Sequence, residues 1–300
     1  MVKFDIVSGF LGAGKTTLVK KILHSLDTCE KIVLIENDFG EVNVDREILE
    51  FEGFEVYELS NGCVCCKLKG DFLYTLKQLL NQKIDRIIFE PSGIFIFGEI
   101  LDVFRDPEIA DKCTINSVIT VIDALNFADN IQSHSAFFKS QILNASSLVI
   151  SKAQFLDDKN LDPIVQELQL LNEKAPVLSK DWAKLTAQDT KALINRTSEF
   201  PLTFPSHFPD HNFDSVGLKT SKIISFSQLE GILEICKTGA LGKVMRGKGI
   251  LNSGSAFLEF NYVEGQYSIE ETTDTQIGIV SFIGNGLKKE ALTSFFALDN

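Results

Sequence analysis

The chain has 300 residues, 44% hydrophobic and 23% charged, the balance of a soluble globular protein with one large domain or two of ordinary size. Acidic residues outnumber basic ones 41 to 29, a formal net charge of −12, which argues against a nucleic-acid partner because phosphate backbones are gripped by clustered Lys and Arg. No apolar run approaches the ~18 residues of a membrane span, and Met1-Val2-Lys3-Phe4-Asp5 leads straight into an apolar segment without room for a signal peptide, so no membrane partner and a cytoplasmic location are expected.

Phe4–Val7 reads as a first strand. Behind it stands Gly9-Phe10-Leu11-Gly12-Ala13-Gly14-Lys15-Thr16-Thr17, a complete Gly-x-x-x-x-Gly-Lys-Thr phosphate loop, and then a helical stretch, Lys15–Leu26. The glycines let successive backbone N–H groups turn onto an anionic phosphate chain. The helix N-terminus adds its dipole, Lys15 reaches the β- and γ-phosphates, and the Thr16 hydroxyl holds Mg²⁺. A nucleoside triphosphate is the expected ligand.

Further strands are predicted at Lys31–Ile35, Glu55–Leu59, Arg86–Phe89, Ser117–Ile122, Ser147–Ile150 and Pro176–Leu178, several of them unbroken Ile/Val runs suited to burial on both faces. Helices are predicted at Asp71–Gln82, Phe138–Asn144 and Leu161–Asn172, the last carrying Leu161, Ile164, Val165, Leu168 and Leu171 as one apolar stripe. This alternation means an α/β fold, a mostly parallel sheet covered by helices on both faces, with ligands at the carboxyl ends of the strands. The phosphate-loop domain is placed at residues 1–198 and a Pro-rich linker at 199–217, where His207 and His211 flank Pro209 and read as loop residues. A small α+β domain at 218–300 is predicted in β-α-β-β-β-α order: Ile223–Ser225, Ser227–Thr238, Ala256–Tyr262, Tyr267–Glu271, Ile277–Ile283 and Lys288–Phe296.

Three segments narrow the chemistry. Glu36-Asn37-Asp38-Phe39-Gly40-Glu41 follows the second strand, and Glu90-Pro91-Ser92-Gly93 follows the apolar run Ile87–Phe89. Glu90, at a strand end, is placed to polarise Mg²⁺ or its water ligands, and Gly93 can offer its N–H to a γ-phosphate, as nucleotide switches do. Between them lies Asn61-Gly62-Cys63-Val64-Cys65-Cys66. Clustered thiols in a reducing compartment point to metal binding or redox chemistry, and thiolates favour soft late transition metals. Cys63, Cys65 and Cys66 leave a tetrahedral shell one ligand short, a place for water, for a carboxylate such as Asp38 or Glu41, or for a partner's side chain. An incomplete shell suits transfer better than permanent structural zinc.

In this order the phosphate loop, Asn37-Asp38-Phe39-Gly40-Glu41-Val42, the Cys-x-Cys-Cys segment and Glu90-Pro91-Ser92-Gly93 resemble the CobW-type P-loop GTPases, relatives of the urease and hydrogenase nickel-insertion GTPases. Val121-Ile122-Asp123-Ala124, Arg246-Gly247-Lys248-Gly249 and Phe282-Ile283-Gly284-Asn285-Gly286-Leu287 extend the likeness over nearly the whole chain. The resemblance implies a GTP/GDP cycle with Mg²⁺ and delivery of a transition metal (Zn, Co, Ni or Fe) to a client metalloprotein or metal-cofactor enzyme, with a nucleotide- or metal-dependent dimer among its implications. A P-loop small-molecule kinase and a metal-sensing adaptor with little hydrolysis are the alternatives. Two positions depart from the family pattern. Asp38 stands where a Glu is usual, and the guanine-reading Asn-Lys-x-Asp is here Ser151-Lys152-Ala153-Gln154. Gln154 is neutral and cannot give the two charge-assisted bonds an Asp gives guanine, while the Lys152 stem can still pack on the base. GTP remains the expected nucleotide, with weakened discrimination against ATP.

Overall fold

The computed structural model describes residues 1–26, 29–36, 55–58, 67–133, 135–196, 213–272 and 278–297. These form two compact units, one holding residues 1–36 and 55–196, the other residues 213–297.

The first unit is a seven-stranded sheet. In chain order its elements are β1 (Val2–Gly9), α1 (Lys15–Ser25), β2 (Ile32–Glu36), β3 (Val56–Glu58), α2 (Lys67–Leu79), β4 (Arg86–Glu90), α3 (Phe97–Val103), α4 (Pro107–Ala110), β5 (Cys113–Asp123), α5 (Phe127–Ser133), α6 (Ser135–Leu143), β6 (Ser147–Ser151), α7 (Asp158–Leu171), β7 (Val177–Leu178) and α8 (Ala187–Ile194). The strands lie in the order β3-β2-β4-β1-β5-β6-β7, every pairing parallel. Alternation along the strands gives each face its own core. Phe4, Ile6, Val33, Ile35, Ile87 and Phe89 point to one side, where they pack with Phe72, Leu76 and Leu79 of α2 and with Phe97 and Ile100 of α3. Phenylalanine dominates there: the Phe72 and Phe89 rings lie 5.1 Å apart and Phe4 and Phe104 4.9 Å apart. The opposite side is covered by α1, which buries Leu18, Val19, Ile22 and Leu23, and by α8 beside it.

Helices α3, α4, α5 and α8 lie in segments where periodicity alone predicts none. The stretch Ile94-Phe95-Ile96-Phe97 is apolar at every position and buried throughout, so neither a two- nor a 3.6-residue period can emerge from it. Helix α8 is instead marked by local chemistry, a reciprocal capping box between Thr186 and Asp189.

The second unit is a five-stranded antiparallel sheet in the order β11-β10-β9-β12-β8, built from β8 (Asp214–Thr220), α9 (Phe226–Lys237), β9 (Lys243–Asn252), β10 (Phe257–Val263), β11 (Gln266–Thr272), β12 (Gly278–Asn285) and α10 (Lys289–Phe296). Leu229, Ile232 and Leu233 of α9 and Leu292 and Phe296 of α10 close over Phe260, Val280 and Phe282. Two differences from the sequence expectation stand out. The leading strand is Asp214–Thr220, which begins inside the segment read as linker; Ile223–Ser225 is a connector, with Ile223 59% exposed. A further strand, Lys243–Asn252, lies where none is predicted, because Gly247 and Gly249 dilute its β-propensity and Arg246 and Lys248 break its apolar pattern. The order is therefore β-α-β-β-β-β-α. His207 and His211 lie outside the described residues. Among the described residues no helix is long and apolar enough to cross a membrane.

Candidate functional site at the carboxyl ends of the parallel strands

The phosphate loop joins β1 to α1 and is held from below by its own apolar residues. Phe10, Leu11 and Ala13 are buried, and the Phe10 ring sits edge-on to Phe138 of α6 at 6.1 Å. Burial of one such aromatic side chain is worth about 1.5–3 kcal/mol, enough to fix a turn with little regular hydrogen bonding. A bond from Ala13 N–H to the Phe10 carbonyl, 3.2 Å, closes the turn. Gly14 occupies the N-cap of α1 at φ +97, left-handed backbone that only glycine adopts at low cost. No side chain caps the helix and its first turn carries no acidic residue, which leaves the N-terminal amides and the positive end of the dipole directed at the loop. Lys15 bridges the loop, its ammonium donating to the Phe10 carbonyl at 3.3 Å. Thr17 is exposed.

Beside the loop, on the β4 side, the Thr16 hydroxyl donates to Glu90 Oε1 at 2.9 Å. Glu90 is the last residue of β4, 7% exposed, and its register neighbour on β2 is Glu36, the last residue of that strand and 2% exposed. Two buried acidic side chains thus end adjacent strands. Glu36 belongs to the strand and not to the segment after it, a placement the sequence reading missed. The signal was available, since the reasoning that singles out Glu90 at the end of an apolar run applies equally to Glu36 after Ile32–Ile35. Gly93 lies directly on the phosphate loop: a Cβ there would fall 2.4 Å from the Leu11 amide nitrogen. Its carbonyl accepts from Gln141 Nε2 at 3.3 Å.

On the other side of β1 lie the ends of β5 and β6. Asp123, 2% exposed, accepts from the Leu125 amide at 3.0 Å, from Asn126 Nδ2 at 2.9 Å and from Lys152 Nζ at 2.6 Å. Lys152 has φ +60, a conformation uncommon for a residue with a side chain. Ser151 is buried, and Gln154 is exposed in the 3₁₀ turn Ala153–Phe155. Trp182, the single tryptophan of the chain, donates its indole N–H to the Ile150 carbonyl at 2.9 Å and sets its ring edge 3.4 Å from where a Gly14 Cβ would lie. No periodicity or motif marks Trp182 in the sequence.

The structure therefore brings Gly9, Gly12, Ala13, Gly14, Lys15 and Thr16 together with Glu90 and Gly93 on one side and Ser151 and Lys152 on the other. Asp38, Glu41, Cys63, Cys65 and Cys66 lie outside the described residues, and among the described residues no three His, Cys, Asp or Glu side chains form a metal-binding group. Burial pushes the thiols of Cys113 and Cys236 up to about 12 and about 11, which keeps both protonated and unsuited to metal binding at neutral pH.

Residues 3–179 match the family described as CobW/HypB/UreG, nucleotide-binding domain. Among curated relatives, a zinc chaperone CobW from Sinorhizobium sp. is 30% identical over 58% of this chain and 57% of its own length, so the match spans little more than half of that relative. The zinc chaperone YjiA of Escherichia coli is 28% identical over 99% of this chain and 98% of its own. A solved structure, the Zn(II)-bound YjiA GTPase from E. coli, aligns over 98% of both chains at 23% identity with a TM-score of 0.44.

Proposed function

Because the chain belongs to the CobW/HypB/UreG nucleotide-binding family, we propose that it hydrolyses GTP and couples that turnover to handing a transition-metal ion to a client metalloprotein or metal-cofactor enzyme. The observation that carries the nucleotide half of this reading is the phosphate loop with its uncapped helix, Lys15 across its mouth and Glu90 2.9 Å from the Thr16 hydroxyl. A hydroxyl and a carboxylate side by side are hard oxygen donors that fit Mg²⁺, so Thr16 and Glu90 would hold that ion, which neutralises charge between the β- and γ-phosphates. Lys15 pairs with the same phosphates. The Glu90–Gly93 segment, whose backbone rests on the loop, is the one that presence or loss of a γ-phosphate biases.

The metal is cargo. Its proposed ligands are Cys63, Cys65 and Cys66 with Asp38 or Glu41, which lie in sequence between Glu36 and Glu90, the two strand-end carboxylates paired in register. Zinc is the cargo we favour, because thiolates bind it well and the relatives above carry the name zinc chaperone. With Cys113 and Cys236 held protonated, the clustered thiols are the better candidates for a thiolate site.

The deciding experiment is a pair of anaerobic zinc titrations, one on the GDP-bound chain and one with a non-hydrolysable GTP analogue. A coupling of about 1–3 kcal/mol between nucleotide and metal is expected, equal in both directions as linkage requires. Cys65→Ser should weaken zinc binding and remove most of the coupling while leaving metal-free GTP affinity unchanged. Equal zinc affinities in both nucleotide states would refute gated delivery, and absence of GTP turnover in the wild-type chain would refute the hydrolase.

A further inference from the structure

We infer that the base end of this nucleotide site is tolerant and takes adenine as well as guanine nucleotides. The inference rests on the phosphate-loop reading above and concerns only what lies beyond the phosphates. The loop sits at the end of β1, with β4 on one side and β5 then β6 on the other. Glu90 occupies the β4 side, next to Thr16. The opposite side is walled by Ser151 and Trp182, which approach the position of a Gly14 Cβ to 3.9 and 3.4 Å. A nucleotide with its phosphates on the loop and its cation-binding oxygens toward Glu90 therefore carries its base over the ends of β5 and β6, at Asp123–Leu125 and Lys152–Phe155.

Selecting guanine at such a place takes a carboxylate. Guanine offers two donors, N1–H and the exocyclic amine, and one acceptor, O6; adenine offers one donor, the N6 amine, beside the N1 lone pair. A carboxylate accepts both guanine donors and repels adenine N1. Three of the carboxylates near these strand ends already accept from groups of the fold. Asp123 is buried and takes Leu125 N–H, Asn126 Nδ2 and Lys152 Nζ. Asp157 caps α7 by accepting from the Asn160 amide at 3.0 Å and from Asn160 Nδ2 at 2.7 Å. Asp181 accepts from the Ala183 amide at 2.9 Å. The exposed polar side chain of the turn after Lys152 is Gln154, and a carboxamide carries one acceptor and one donor. Turned one way it takes guanine N1–H and gives to O6; turned the other it takes adenine N6–H and gives to N1. Neutral bonds of this kind have about half the strength of charge-assisted ones, so little preference remains. Leu125 and Phe155, 40% and 68% exposed at the same strand ends, supply apolar surface of the sort that meets any purine face alike.

The test is titration calorimetry of the full chain with Mg²⁺, using non-hydrolysable analogues of GTP and of ATP. Dissociation constants within about tenfold of each other are expected, the residue of one neutral hydrogen bond's difference. Gln154→Asp, at an exposed position that leaves packing intact, should tighten the GTP analogue, weaken the ATP analogue and widen their ratio by roughly 10–100-fold. A wild-type preference for GTP beyond about a hundredfold would overturn the inference and leave the phosphate-loop reading standing, as would a Gln154→Asp ratio equal to wild type. Failure of both analogues to bind would overturn the phosphate-loop reading together with the inference built on it.

Discussion

Across the width of the parallel sheet, Asp5 of β1 is fully buried and accepts from Arg86, from Asn116 Nδ2 at 2.7 Å and from Ser117 Oγ at 2.6 Å, while Arg86 also reaches Glu30 Oε2 at 3.0 Å. At the carboxyl ends of β2 and β4, by contrast, the two acidic residues Glu36 and Glu90 stand as register neighbours. The first arrangement pairs opposite charges inside the fold and needs nothing from outside. The second sets two acidic side chains beside a phosphate loop, oxygen donors of the kind a bound hard cation takes. Buried acidic groups are common to both regions, so burial does not by itself mark a functional site; the phosphate loop beside the second does. Burial lifts the Asp5 carboxyl above its ordinary value against the pull of Arg86, the mark of a group whose desolvation is large and whose partner is needed.

Breaking the closed network should give the largest effect. Arg86→Met leaves Asp5 buried without its cation and is expected to cost about 3–5 kcal/mol of stability, measured by urea denaturation of the full chain. Adding Asp5→Asn should recover much of that loss, because the charge left unpaired is then gone. A cost below about 1 kcal/mol for Arg86→Met would put the network with surface ion pairs and dissolve the contrast.

The opposite behaviour is expected at the phosphate loop. Lys15 is partly exposed, so Lys15→Ala should leave the urea transition in place. Losing its charge-assisted bonds to phosphate, each worth about 1.5–3 kcal/mol, should lower triphosphate affinity roughly a hundredfold. Unchanged affinity by calorimetry would end the phosphate-loop reading. A large loss of stability would show that this end of the sheet is as structural as the other.

How much of this was legible in the sequence follows the same division. The phosphate loop, Glu90 and Gly93 are local patterns, each a short run of residue types after an apolar strand, and they were readable because the chemistry needs those types at that spacing. What Gly93 touches was not readable: its approach to Leu11 crosses 82 positions. Nor was the partner of Asp5, since Arg86 and Ser117 are brought to it only by the order β4-β1-β5. In the second unit the apolar strands β10 and β12 announced themselves. Strand β9 did not, because Arg246 has its own partner in Asn261 Oδ1 at 3.0 Å and so can occupy a strand position that hydropathy alone assigns to a loop. Trp182 was silent for another reason. Its role depends on the left-handed turn at Gly14, which opens the space its ring edge approaches.

A smaller effect sharpens the comparison from its exposed side. Asp189 of α8 accepts from Lys180 Nζ at 2.7 Å and from the Thr186 amide and hydroxyl, both at 2.8 Å. These donors hold its carboxyl down to about 2, below its ordinary 3.8. A carboxylate lowered in the folded state binds its proton more tightly when unfolded, so its contribution to stability is present above the ordinary value and is lost as pH falls from 3.8 through about 2. Asp5, raised by burial, works in the opposite sense: its shift favours the fold at low pH and the benefit fades as pH rises through its folded value. Urea transitions of wild type and Asp189→Asn, compared at steps through the acid window, isolate the Asp189 share. The two should differ most above 3.8 and converge toward about 2. Lys180 and Trp182 stand on the same short turn before α8, so the emission of the single tryptophan should respond in that window in wild type and lose the response in Asp189→Asn. Parallel curves at every pH would mean that this partly exposed ion pair contributes nothing to the pH dependence of the fold, leaving stability to closed, buried pairs such as Asp5 and Arg86.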